Sequence, residues 1–145
     1  MTRAFTLALI GLIGWGITLG VSPSFSQSDS VVISEIGWMG TLNSYNDEWV
    51  EVHNPTSSTV ELSGWVLRST DGSPEISFSG SIGAGGFCLL ERTNDETIPT
   101  IKADYIYTGA LSNGGERLEL IDSAGNLVDF VSAAEGWFAG DNSEK

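Results

Sequence analysis

Between residues 31 and 131 the apolar positions never settle into a 3.6-residue period; short β-branched and aromatic runs recur every 8 to 15 residues instead. That pattern predicts strands at 31–37 (VVISEIG), 47–53 (DEWVEVH), 60–68 (VELSGWVLR), 75–78 (EISF), 87–91 (FCLLE), 104–107 (DYIY), 117–121 (RLELI) and 127–131 (LVDFV). Turn-rich segments separate them: NPTSS at 54–58, TDGSP at 70–74, GAGG at 83–86, SNGG at 112–115 and DSAGN at 122–126. Gly64, inside the third run, marks a bulge or bend. About eight strands at hairpin spacing leave no room for the long crossovers of a parallel sheet, so the expected architecture is an antiparallel β-sandwich or small barrel.

Strand alternation divides the most heavily functionalised stretch, residues 46–55 (NDEWVEVHNP). Glu48, Val50 and Val52 share one side of an extended chain, and Trp49, Glu51 and His53 the other. The valines are expected in the core, with Glu51 and His53 outward and Trp49 partly covering the outer face. The three carboxylates therefore do not converge from this strand alone.

Residues 1–26 stand apart. One basic residue is followed by the apolar run 4–21 and by the small, polar segment SPSFS. This reads as a secretory signal with cleavage between Ser26 and Gln27, the alternative being an uncleaved membrane anchor through residues 4–21. Both readings place the domain outside the cytoplasm: secreted, periplasmic or on the cell surface. Residues 27–30 form a short linker to a domain at 31–145.

The net charge of −13 comes from 19 acidic against 6 basic side chains, and cleavage would remove Arg3 and no acid. Such a surface repels phosphate backbones and anionic headgroups, so direct nucleic-acid binding is not expected; solvation or cation binding fits the charge better, and the charge does not identify a protein or cell-surface partner. Cys88 is the single cysteine and forms no intrachain disulfide. Within the apolar FCLL run it reads as a buried, inert thiol.

Candidate chemistry is sparse. Glu35, Asp47, Glu48 and Glu51, with amide oxygens from Asn43 or Asn46, are the one plausible Ca²⁺ set, because hard cations take six to eight oxygens. The DxDxDG spacing of a calcium loop is missing. His53, the only histidine, has no GxSxG serine to serve. The glycine clusters lack the lysine and helix of a phosphate loop. Trp38, Trp65, Tyr105, Tyr107 and Trp137 are either a ligand platform or core and edge cover, with Trp65 expected at the centre of the packing.

VISEI at 32–36, a tryptophan-containing loop, DEWVEVHNP at 47–55 and VELSGWVL at 60–67 together resemble the opening of the lamin-tail domain of secreted and surface bacterial proteins. IGAGGFCLLE at 82–91, LSNGGERLELID at 111–122, GNLVD at 125–129 and WFAG at 137–140 extend the resemblance over residues 31–140. Its signature positions are Glu48, Trp49, Glu51, Asn54, Pro55, Leu62, Gly64, Trp65, Asn113 and Gly115. The resemblance implies an immunoglobulin-like sandwich acting as a binding or structural module, with no catalytic centre and no cofactor. It also implies a short last strand after WFAG, so the expectation is either an open sheet edge or a strand carried on a continuation of the chain. Two other functions stay open: a Ca²⁺-dependent adhesion or carbohydrate-binding module, and an accessory domain of a secreted nuclease or protease.

Overall fold

Each turn cluster interrupts a run too short and too β-branched to persist as helix, and the computed structural model, which describes residues 30–141, is correspondingly all-β. The signal or anchor segment, the linker up to residue 29 and residues 142–145 lie outside the described residues. Ten strands follow in order: β1 Val32–Gly37, β2 Trp49–His53, β3 Val60–Glu61, β4 Val66–Ser69, β5 Glu75–Ser77, β6 Ser81–Ile82, β7 Phe87–Arg92, β8 Tyr105–Tyr107, β9 Arg117–Ile121 and β10 Leu127–Ser132.

They form two four-stranded sheets, ordered β1-β2-β7-β8 and β10-β9-β4-β5, with β3 and β6 pairing as a small third sheet. The core lies between the two large sheets. The first contributes Val50, Val52, Cys88 and Leu90, the second Leu67, Ile76, Leu118 and Leu120, and the small sheet adds Ile82. Val50 and Val52 are 0% exposed, as alternation along β2 requires. The sheets are also tied at their margins. The Ile33 amide on β1 donates to Asp129 Oδ2 on β10 at 2.7 Å, and the Tyr105 hydroxyl of β8 exchanges hydrogen bonds with the Ser79 backbone just after β5.

The expected bend at Gly64 proves to be a full break in the strand, and two further features depart from the sequence expectation. The run 60–68 is not one strand: Gly64 takes φ +82°, and its amide donates to the Phe78 carbonyl, so the chain turns out of the small sheet and into β4. Trp65, just past that turn, is half-buried against the core, whose centre is filled by Leu62 and Leu67 instead. Finally, β7 and β8 pair in parallel. The segment 93–104 between them is as long as the shortest crossovers, so the hairpin-spacing argument fails at that one joint. This crossover becomes one wall of the site described below.

Candidate functional site

Of the carboxylates on 46–55, Glu48 turns inward. It is 4% exposed; its Oε1 accepts from Arg92 Nη1 at 2.9 Å and its Oε2 from the Leu111 amide at 2.8 Å. One side chain thus joins the start of β2 to the end of β7 and to the loop after β8, where Leu111 has no strand partner. Tyr107 packs into the same interior. Burial, reinforced by the Glu48 and Glu116 charges and opposed by Arg92, raises the pKa of its phenol above the ordinary tyrosine value.

Three more buried polar side chains repeat the logic. Asn54 Nδ2 donates to the carbonyls of Ser58, Ile82 and Gly83, while its Oδ1 accepts from the Thr56 amide and hydroxyl. It thereby locks the turn after β2 against the turn between β6 and β7. Glu91, 0% exposed, accepts from the amides of Thr97 and Ile98 at 3.1 and 2.9 Å and holds the 93–104 crossover against the sheet. Glu116 accepts from Ser69 Oγ at 2.5 Å and the Ser112 amide at 3.3 Å; burial nevertheless pushes its carboxyl up from the ordinary value. Buried backbone amides need acceptors, and a carboxylate supplies two oxygens where no neighbouring strand can.

The remaining candidates scatter. Asp47 accepts from Thr41 Oγ1 within the 41–47 loop that also carries Asn43 and Asn46. Glu35 and Glu51 stand opposite one another across β1 and β2, Glu51 also accepting from Ser34 Oγ at 2.8 Å. Four proposed calcium ligands therefore divide into an inward acid, a loop acid and an outward pair. Among the described residues no group of three or more histidine, cysteine or acidic side chains is arranged to hold a metal ion. His53 stacks on Phe87 with ring centroids 4.2 Å apart. Cys88 is buried, and burial, with Asp104 adding to it, pushes its thiol up to about 12.

The signature turns are explained sterically. Gly115 has φ +93°, and a Cβ there would lie 1.9 Å from the Ala133 carbonyl oxygen. Asn113 is exposed at the tip of the same turn and Pro55 half-buried after Asn54. Two of the aromatic candidates pack on one another: Trp38 stacks on Trp137 at 5.9 Å, and their indole N–H groups donate to the Ala139 and Ser112 carbonyls.

What the outer face of the first sheet does hold is a groove of about 330 Å³. Trp49 and Leu89 line it from the sheet, Ile98 and Ile101 from the crossover, and the Glu35–Glu51 pair from the β1 side. Sequence reasoning named Trp49, Glu35 and Glu51 but missed the crossover wall, together with Arg92, Glu91 and Glu116. Alternation along 87–91 was the available signal, since it sets Phe87, Leu89 and Glu91 on the face of Glu51.

The family model described as the Lamin Tail Domain matches residues 24–135. No curated protein matches the chain.

Proposed function

The chain belongs to the lamin tail domain family, and on that premise we propose that it is a non-catalytic, extracytoplasmic binding module that presents the outer face of the β1-β2-β7-β8 sheet to a protein partner. One observation carries the reading. The buried carboxylates, Glu48, Glu91 and Glu116, are each engaged with backbone or side-chain donors of the fold, whereas the outward groove combines apolar walls with carboxylates facing solvent. A reaction centre needs a group free to exchange a proton or attack; a recognition face needs exposed apolar area beside charge. The apolar N-terminal run supports placement outside the cytoplasm.

The test is site-specific photocrosslinking in the native host. A photoreactive amino acid is placed in turn at Ile101 and Ile106 on the first sheet's side and at Leu127 and Phe130 on the second. Discrete adducts in the extracytoplasmic fraction, with positions on the first sheet's side dominating, are expected. The absence of adducts at all four positions, or turnover of peptide, glycan or nucleic-acid substrates by the purified chain, overturns the reading.

A further inference from the structure

Glu35 and Glu51 are direct cross-strand partners, and like charges so placed destabilise a sheet unless something lies between them. Both line the same groove, and its adjoining walls are apolar: the Trp49 indole, which lies across Gly37, then Leu89, buried at 6% exposure, and Ile101 at 57%. The groove's third ionisable group, Asp104, is also acidic; Lys102, next to Ile101, is exposed without lining the groove. A site of this kind is complementary to a cation that tolerates partial desolvation and presents a flat face to an indole.

A hydrated metal ion does not meet that description, because it seeks six to eight converging oxygens, and the groove's three acids, set among side-chain methyls and rings, are not arranged to converge on one ion. A guanidinium does. It is weakly hydrated, forks to two carboxylates at once and stacks on tryptophan. Resting on the binding-module reading above, we infer that the groove docks a partner segment in which an arginine is flanked by apolar residues, the guanidinium seated between Glu35 and Glu51 and over Trp49, the apolar neighbours against Leu89, Ile98 and Ile101. Neutralising the Glu35–Glu51 repulsion adds to the affinity and makes it salt-sensitive.

The full chain is panned against a displayed random peptide library, and the consensus peptide is synthesised for titration by fluorescence and by amide NMR shifts. Arginine beside apolar residues is expected in the consensus, with shifts centred on Glu35, Glu51 and Leu89. The double variant Glu35→Gln with Glu51→Gln should weaken binding about tenfold, two partly exposed ion pairs being lost. Its fold is preserved, since a repulsion is removed and Gln still accepts from Ser34. Neutralising two exposed acids elsewhere, Glu61→Gln with Glu75→Gln, should leave the affinity unchanged. Exchanging the peptide's arginine for lysine should weaken it severalfold. A consensus without a basic residue, failure to enrich any peptide, or equal weakening by the two double variants overturns the inference. Peptides that shift amides on another face also overturn it, while leaving the binding-module reading standing; that reading falls only by the crosslinking and turnover outcomes.

Discussion

Replacing Glu48 by alanine removes two acceptors from an enclosed place. The Arg92 guanidinium, its side chain 17% exposed, loses its carboxylate, and the Leu111 amide loses the acceptor at 2.8 Å. Breaking a fully buried pair costs about 3–5 kcal/mol. Arg92 retains some water, so about 2 kcal/mol is the appropriate share for it, and an orphaned buried amide adds about 1–2 kcal/mol. The expected loss is therefore about 3–4 kcal/mol, a large fraction of the roughly 5–15 kcal/mol that holds a domain together. Urea unfolding followed by tryptophan fluorescence measures it, with an unchanged m-value expected. Glu48→Gln, which keeps one acceptor, should cost about half as much. In the cycle with Arg92→Ala the coupling should reach about 1.5 kcal/mol. A loss below about 1 kcal/mol for Glu48→Ala would refute the reasoning, because it would mean that water or a shifted loop replaces both bonds at little cost.

Gly115→Ala meets the Ala133 carbonyl and an unfavourable φ together, so a loss of about 3 kcal/mol or more in the same assay is expected. Because burial raises the Glu116 carboxyl above its unfolded value, the native state holds a proton the unfolded state releases, and this group's contribution falls as pH rises from about 4.5 to the raised value. Comparing urea midpoints across that window, Glu116→Gln should lack this component. Asp71, Glu119 and Asp122, lowered by their hydrogen bonds and ion pairs, act oppositely, their stabilisation fading as pH drops through their folded values. Cys88 should react with a thiol reagent in the native protein only at the rate of opening; rapid labelling at pH 8 would contradict its buried, protonated state. Melting in EDTA and in millimolar Ca²⁺ should give coincident midpoints, since the four candidate ligands are dispersed; a calcium-dependent rise would restore the calcium site.

The sequence carried the strands and their facing well because period-two alternation and turn glycines are local signals. Val50 and Val52 inward, the 122–126 hairpin and the bend at Gly64 all follow from residues within a few positions of one another. The parallel β7–β8 pair does not, since pairing direction depends on where a twelve-residue connection travels, and nothing in 93–104 has a period to report it. The buried acids were hidden for a related reason. Glu91 lies near the end of β7 and Glu116 just before β9, where an acid usually faces water, and only the path by which the adjoining loops fold back onto them, with Ser69 meeting Glu116 from β4, reveals that they are covered. The groove was half visible: its strand wall followed from alternation, its crossover wall from tertiary structure alone.

Buried carboxylates, rather than strand pairing, hold the loops that frame this sandwich. Native-state hydrogen exchange of the Leu111, Thr97 and Ile98 amides tests it most directly, as each lies outside a strand and donates to Glu48 or Glu91. Protection close to that of core strand amides is expected, with the Leu111 amide selectively deprotected by Glu48→Gln. Exchange at the rate of an open loop would contradict it.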